Sequence, residues 1–380
     1  MEDLIKIREK IDSIDDEIVK EYIERINLCG MVAEEKKKTG KAVSDLERER
    51  KILYRITENV PEKYHTLLKE LYSTIFATSK AYQSSLIGSA SKTKSAIDKI
   101  IEGGLTDLPE RAAVACQGVK GANSGTAAEK LFPISDLNYF KTFEGVFSAV
   151  ESGLCDYGVL PIENSTAGSV LDVYDLMKKY DFHIVRTVRI KIEHCLAAIP
   201  GATLSGIKKV VSHPQAISQC SEYIKSHKLD SELGENTAIA AKNVSEQEDK
   251  TVAAICSPDC AALYGLQILE RAVQNNVNNF TRFICIAKDL EIFKGSDKIS
   301  VMTALSHRPG SLNEMLMKFS TLGLNLTKIE SRPIVGTDFE FMFYFDFEGD
   351  ITRSDVLNLI AELENSSDKF VFLGSYKEII

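Results

Sequence analysis

At 380 residues, with 44% hydrophobic and 27% charged side chains, the chain has the composition of an ordinary globular protein long enough for two or three domains. A net charge of −9 and a pI near 5.4 argue against a nucleic-acid binder, which needs a broad basic face. No apolar run approaches the roughly 20 residues of a membrane span, and the first ten residues are polar and helical rather than a signal peptide, so the expected location is the cytoplasm.

The first segment, residues 1 to about 88, reads as helix alone. Over 2–38 apolar residues recur at heptad spacing, with Leu4, Ile11, Ile18 and Val32 on one seam and Ile7, Ile14 and Leu28 on its companion. Arg25 interrupts the first seam where an apolar residue belongs. Arg8, Tyr22, Cys29 and Lys36 follow a neighbouring stripe, so Arg8, Arg25 and Lys36 aim into one helix-lined interior. A lone cation there costs several kcal/mol in desolvation, and a negative group is expected beside it. Thr39-Gly40-Lys41 ends this helix. Ser44-Asp45-Leu46-Glu47 offers a capping box for a second one running to about Asn59, and Pro61 opens a third, striped by Tyr64, Leu68, Leu71, Ile75, Tyr82 and Leu86. A first helix of about 35 residues is on the order of 50 Å long. Two shorter helices cannot cover its seam, which predicts a second copy of the chain in a symmetric dimer.

The cations have polar company. Asp45, Arg48 and Glu49 open the second helix, and Ser79 and Gln83 stand four apart on one face of the third. Singly, each is an ordinary surface residue. Together Arg8 (in Ile-Arg-Glu-Lys-Ile-Asp), Arg25, Lys36, Asp45, Arg48, Glu49, Ser79 and Gln83 resemble the active site of the all-helical chorismate mutases, across the whole segment. The resemblance implies an all-α three-helix domain over 1–88 that forms an intertwined dimer and rearranges chorismate to prephenate. That reaction is intramolecular and needs no cofactor, so positioning and electrostatics carry the catalysis. The resemblance further implies that Arg8, Arg25 and Arg48 hold substrate carboxylates. Lys36 and Gln83 would donate to the ether oxygen as the carbon–oxygen bond breaks, Glu49 would take the ring hydroxyl, and Asp45 and Ser79 would support. Arg8 would enter from the partner chain.

Over 89–109 the composition turns to Ser, Lys, Gly and small residues, with a short amphipathic piece at 95–101, and reads as a linker. Over 110–289 strand and helix alternate: strand 111–116 into Gln117-Gly118, helix 125–131, buried strand 156–160 into Pro161, helix 170–179, strand 184–192, then further βα units to about Lys288. That order is α/β, with ligands expected where strands end at loops.

Four stretches in this region combine hydroxyls, amides and turns: Pro161-Ile162-Glu163-Asn164-Ser165-Thr166, Ser212-His213-Pro214-Gln215, Asn236-Thr237-Ala238 and Asn279-Phe280-Thr281-Arg282-Phe283. Each alone is an ordinary loop. In succession, Gln117-Gly118-x-x-Gly121, the Pro-Ile-Glu-Asn-Ser run, Ser-His-Pro-Gln and Thr-Arg-Phe resemble prephenate dehydratase, over about 110–288, a catalytic domain of two α/β lobes around a cleft. The implied reaction expels a ring hydroxyl as water and a carboxylate as CO₂, driven by aromatisation, and needs an anion clamp and a proton donor. In that resemblance Arg282 is the clamp, beside Phe283, and Thr281 donates to the leaving hydroxyl or orients a proton toward it. Asn164, Ser165, Thr166, Thr237 and Gln215 hydrogen-bond the carboxylates. His213, directly before Pro214, reads as structural. The family usually carries an aromatic after Gly-Ala in its first motif, whereas Gly121-Ala122 is followed here by Asn123. Prephenate and arogenate, which differ in a keto versus an amino side chain, both stay open as substrates.

Lys294-Gly295-Ser296-Asp297 is a second joint. Strand 298–305, helix 311–322, strands 326–333 and 340–347, helix 353–363 and strand 370–374 follow, which is the βαββαβ, ferredoxin-like plan. Arg308-Pro309-Gly310-Ser311-Leu312 leaves amides free at a helix start, and Ile329-Glu330-Ser331-Arg332-Pro333 ends the next strand. Together they resemble the amino-acid-binding ACT domain, over 297–376, in the version carried by phenylalanine-sensing dehydratases. The resemblance implies L-phenylalanine as a feedback effector, bound at a dimer interface near Gly310, Ser311, Leu312, Glu330, Ser331 and Arg332.

The eight cysteines lack C-x-x-C spacing and, as at Cys155, Cys220 and Cys285, sit in apolar surroundings, so they read as reduced core thiols. The six histidines form no metal spacing, and neither metal nor cofactor is expected. The whole chain resembles the bifunctional chorismate mutase/prephenate dehydratases of phenylalanine biosynthesis, expected as a homodimer or homotetramer without nucleic-acid or membrane partners. No G-x-G-x-x-G follows a strand, which argues against a mutase fused to a dehydrogenase. From a different class, the α/β and ACT regions could form a ligand-sensing module without catalysis.

Overall fold

The computed structural model describes all residues except 1, 42, 89–90, 306–309, 335–340 and 368. Arg308 and Pro309 of the expected effector turn, and residue 340 at an expected strand start, lie outside the described residues. The chain forms two compact units, Met1–Gly104 with Ile299–Phe372 and Leu105–Lys298 with Leu373–Ile380.

In the first unit, α1 (Glu2–Thr39) is a single helix whose last turn carries Lys36, Lys37 and Lys38, the charge its C-terminal dipole favours. Gly40, at φ +68°, then turns the chain. The second helix, α2 (Leu46–Thr57), is capped by Asp45, whose carboxylate accepts from Arg48 N at 2.9 Å; the expected cap was one residue earlier, at Ser44, and the helix stops two residues short of Asn59. The third, α3 (His65–Ile87), follows a 3₁₀ turn after Pro61 and ends at Gly88, also left-handed. It packs along α1, with Tyr22 Oη donating to Thr78 Oγ1 at 2.6 Å. Inside the stretch read as linker, residues 92–102 form α4 (Lys92–Glu102), capped by Ser91 and burying Ile97 completely. Its amphipathic face, too short to stand alone in water, finds a partner in the C-terminal part of the chain.

The second unit opens with β1 (Arg111–Gln117), α5 (Asn123–Leu131), β2 (Ile134–Phe140), α6 (Phe143–Glu151), β3 (Tyr157–Asn164), β4 (Gly168–Ser169), α7 (Leu171–Lys179) and β5 (His183–Lys191). A second lobe holds β6 (Cys195–Ala198), β7 (Lys209–Ser212), α8 (Pro214–Gln219), α9 (Ser221–Ser226), β8 (Asp230–Leu233), α10 (Thr237–Glu246), β9 (Val252–Cys256), α11 (Pro258–Leu263) and β10 (Gln267–Glu270). The chain then returns to the first lobe as β11 (Phe280–Ala287). The second-lobe sheet has the order β10-β6-β9-β7-β8; in the first lobe β5-β11-β3-β1-β2 are neighbours, with β1 parallel to β2 and β3, and β11 antiparallel to β3 and β5. Each lobe has its own apolar core, one around Val114, Phe132, Val159 and Cys285, the other around Leu196, Val210, Ala254 and Ile255. The expected helix at 125 begins two residues earlier, at Asn123. The strand β2 escapes the apolar signal because Ser135, Asp136 and Asn138 break its pattern.

The remaining elements are β12 (Lys298–Leu305), α12 (Ser311–Thr321), β13 (Asn325–Pro333), β14 (Phe341–Glu348), α13 (Ser354–Ser366) and β15 (Phe370–Ile379), with strand order β13-β14-β12-β15. Phe319, Phe345, Phe347, Val356 and Ile360 are fully buried at their centre. On α13, Asn358 accepts from Lys94 Nζ (2.8 Å) and Glu364 from Thr93 N (3.1 Å), which seats α4. The last strand runs five residues beyond the expected end at 374, because Lys377 to Ile379 pair in parallel with Arg186 to Val188 of β5.

Candidate active sites

In the helical region Arg25 is half-buried and its Nη1 donates to Ser79 Oγ at 2.5 Å, joining α1 to α3 across 54 residues of sequence. Ser79 and Gln83, one turn apart, are both buried, and the Gln83 side-chain oxygen is buried without a hydrogen-bond partner. A buried polar atom left unpaired costs about 1–3 kcal/mol, so the arrangement favours a ligand that supplies the partner. At the other end of α1, Lys36 Nζ donates to Val43 O at 2.6 Å and ties down the turn before α2. Asp45 is spent as a helix cap. Arg8 and Arg48 are exposed. Glu49 does not stand with Arg25 and Ser79; it pairs with Lys80 at 3.2 Å, a partner the sequence did not suggest. Lys80 follows Ser79 directly, so helical geometry points it about 100° away from the Arg25 face.

The apolar seam of α1 is uncovered. Leu4, Ile7, Ile11, Ile14, Ile18, Leu28 and Val32 are all between 46 and 58% exposed, because α3 reaches only one side of so long a helix.

In the α/β region, register brings the predicted residues together. Asn164 ends β3 directly opposite Thr281 on β11. Asn164 Oδ1 accepts from the backbone N–H groups of Thr166 (3.0 Å) and Ala167 (2.8 Å), which fixes which end of the amide is oxygen. Its Nδ2 therefore donates, to Thr281 Oγ1 (2.9 Å) and to Asn279 Oδ1 (2.8 Å), in a buried network. Asn279, 1% exposed, is a member that sequence reasoning named only as part of a motif. Ser165 Oγ accepts from Phe280 N at 2.9 Å, and Thr166 Oγ1 reaches Asn279 Oδ1 at 3.4 Å, so the turn after β3 is fastened to the start of β11.

Arg282 and Glu163 are also opposite one another, and their side chains pair at 3.2 Å. Phe283 faces inward into the first-lobe core rather than beside Arg282 and is 3% exposed. In the second lobe Thr237 begins α10, whose cap is Asn236 accepting from Ile239 N, while Gln215 in the first turn of α8 is exposed. His213 caps α8: its Nδ1 accepts from Gln215 N at 3.2 Å, which is the structural role read from the following proline. These helix starts and the end of β3 are C-terminal ends of parallel strands, where α/β folds place ligands. The lobes approach where Gly121, left-handed at φ +91°, meets Cys260 and Leu263 and where Tyr264 Oη donates to Lys120 O (3.0 Å). A Cβ at Gly121 would come within 3.0 Å of Leu263, so the turn tolerates little else.

At the expected effector position Gly310 is left-handed at φ +87° and caps α12 with no side chain. Across the first turn, Ser311 and Leu312 are half-buried. On β13, Glu330 and Arg332 are half-buried and Ser331 is exposed, opposite Tyr344, Met342 and Phe343 of β14 respectively. Among the described residues no group of three or more His, Cys, Asp or Glu could hold a metal, and no helix is long and apolar enough to cross a membrane.

An all-helical region with converging polar side chains, a two-lobed α/β region and a βαββαβ region on one chain define a multidomain protein. Residues 7–84 match the family Chorismate mutase type II, and residues 114–291 match the family Prephenate dehydratase. The bifunctional chorismate mutase/prephenate dehydratase of Escherichia coli (strain K12) is 31% identical over 387 residues, covering 98% of this chain and 96% of that one. An arogenate dehydratase/prephenate dehydratase of Arabidopsis thaliana is 37% identical over 278 residues, 70% of this chain and 73% of its own length. The solved structure of a prephenate dehydratase from Arthrobacter aurescens in complex with L-Phe has a TM-score of 0.64 and 31% identity, covering 70% of this chain and 89% of that one. The chain belongs to the bifunctional chorismate mutase/prephenate dehydratase family.

Proposed function

We propose that the helical region, residues 1–88, rearranges chorismate to prephenate and that the α/β region, 110–289, converts prephenate to phenylpyruvate, water and CO₂. What carries the reading is convergence: side chains remote in sequence meet in each region, Arg25 with Ser79 and Asn164 with Thr281. In the mutase, Arg25 is held by Ser79 and takes a carboxylate, while the buried Gln83 side chain donates from its amide nitrogen to the ether oxygen as negative charge grows there. Lys36 leaves Val43 O to join it, Arg48 takes the second carboxylate, and Glu49 takes the ring hydroxyl after leaving Lys80. Arg8 comes from a second copy, whose α1 also covers the exposed apolar seam. The assembly is a dimer through α1, and light scattering distinguishes it from a tetramer.

In the dehydratase, Thr281 Oγ1 accepts from Asn164, so its own proton is left to be directed at the departing hydroxyl. Arg282 clamps a carboxylate in exchange for Glu163. Ser165, Thr166, Thr237 and Gln215 complete the anion site. No metal or cofactor enters either step. The C-terminal region, 297–376, is a ferredoxin-like ACT domain, supported by its strand order and by the left-handed Gly310 before α12. L-Phenylalanine bound near Gly310, Ser311, Leu312, Glu330, Ser331 and Arg332 inhibits the dehydratase. The protein works in the cytoplasm.

Following chorismate by ultraviolet absorbance and identifying phenylpyruvate tests both activities in one tube; chorismate left unchanged refutes the enzyme reading and favours a ligand-sensing module. Likeness to plant arogenate dehydratases supports a second substrate, and direct competition of arogenate with prephenate decides the preference. Inhibition by L-phenylalanine but not L-tyrosine supports the effector reading, and equal responses refute it.

A further inference from the structure

A cavity of 580 Å³ opens between α2 and α3 on one side and α12 and α13 on the other, all within the first unit. Of the expected mutase residues only Glu49 lines it, and Arg8, Arg25, Lys36, Asp45, Arg48, Ser79 and Gln83 do not, so it lies beside that set rather than among it; of the expected effector residues only Ser311 does. On α3 the lining residues recur at three and four positions, as one continuous stripe. Its floor is apolar, formed by Phe76, Met315 and Leu359, each at most 7% exposed. Its two walls carry one ion pair apiece: Lys80 with Glu49 at 3.2 Å on the mutase helices, and Lys318 with Glu362 at 2.7 Å on α12 and α13. All four side chains are between 20 and 27% exposed. An apolar chamber of a few hundred cubic ångströms with a small number of converging charges is the usual form of a small-molecule site.

We propose that this cavity is a second small-molecule site, taking a free amino acid with a large apolar side chain, and that its occupant acts on the mutase through Lys80 and Glu49. The ligand class follows from the walls. A zwitterion offers a carboxylate to a lysine on one wall and an ammonium to a glutamate on the other, while its side chain covers the apolar floor. A simple anion offers no charge to Glu362 across the cavity, and a simple cation offers none to Lys80. The consequence follows from Glu49. Lys80 holds this carboxylate at the cavity wall; a ligand carboxylate on Lys80 releases Glu49 to the chorismate hydroxyl. The effect on the mutase rests on the role proposed above for Glu49, whereas binding does not.

The chain contains no tryptophan, so L-tryptophan is a self-reporting probe. Its fluorescence anisotropy is titrated with the full-length protein, and L-leucine and L-phenylalanine are tested as competitors. Saturable binding is expected, weakened at least tenfold both by Lys80→Met and by Ala77→Phe, which fills the chamber without touching a charge. Binding should survive Ser331→Ala. Circular dichroism checks that each variant folds. Mutase KM is expected to fall with L-tryptophan in the parent and to be unresponsive in Lys80→Met. Absence of binding by all three amino acids overturns the proposal, as does binding that survives Ala77→Phe or is lost only in Ser331→Ala. Binding that obeys the variants while mutase kinetics stay flat keeps the site and overturns its link to Glu49.

Discussion

The mutase and dehydratase regions reach their chemistry by opposite routes. Mutase residues project from helices: Arg8 and Arg48 are exposed, Arg25 has the Ser79 hydroxyl and the Cys29 thiol for company, and Lys36 and Glu49 are engaged elsewhere. Dehydratase residues are set by strand register, with Asn164, Thr281 and Asn279 closed into a buried network and Arg282 already paired. On the proposed reading the helical set is completed by substrate and a second copy, whereas the α/β set is already held together by hydrogen bonds. Losing a helical residue should cost activity alone. Losing a register residue should cost activity and stability together.

The largest effect is expected from Arg25→Ala. Removing a charge from a site that works by electrostatics is expected to cost on the order of 10³-fold in mutase turnover, with thermal stability and dehydratase rate unchanged. Coupled loss of stability would break the contrast. Next is Thr281→Val, expected to lower dehydratase kcat by about 10²-fold and, by taking an acceptor from Asn164, to destabilise by about 1–3 kcal/mol. Urea unfolding and phenylpyruvate formation read the two halves, and an unchanged kcat removes Thr281 from the chemistry. A third test addresses the proposed second copy. Arg8→Ala and Arg25→Ala are each expected to be inactive as mutases. Once subunits exchange, half the dimers are mixed, and one of their two sites has both arginines, so about a quarter of the activity returns. No recovery after exchange would place Arg8 in its own subunit's site.

How much of this was legible in the sequence differs between the regions for the same physical reason. Helical periodicity exposed Arg25 as a misfit, and the family resemblance paired it with Ser79, but nothing along one chain says that Lys36 rests on Val43 O or that Glu49 turns to Lys80. Such choices depend on flexible side chains and on the packing of α12 and α13. In the α/β region the motifs located Asn164 and Thr281, while the register that sets them opposite each other is non-local and has no sequence mark. Phe283 was misplaced because successive strand residues point to opposite faces, so its ring joins Cys285 and Ala287 in the core while Arg282 faces Glu163. The helix α4 was read as linker because its small, polar composition conceals a single buried anchor, Ile97.

The smallest expected effect concerns whether the preorganised region is closed as far as the crossing between its lobes. His194 lies there, 5% exposed, its backbone N–H donating to Gln274 Oε1 (3.0 Å) and its Nε2 donating to Gln219 Oε1 (2.9 Å). Burial lowers its pKa from 6.5, with the Gln219 bond opposing the shift. For a base with a depressed pKa the folded state favours the neutral ring. The stabilisation is present above 6.5 and is lost as pH falls through the folded value, because the unfolded chain takes the proton first. The slope from this one group cannot exceed about 1.4 kcal/mol per pH unit. His194→Gln keeps an amide donor toward Gln219 and removes the titration. Urea midpoints at pH 7.5 and 5.5 are therefore expected to separate further in the parent than in His194→Gln. Equal separation would mean that the crossing admits water, and that preorganisation in this region stops at the Asn164 network.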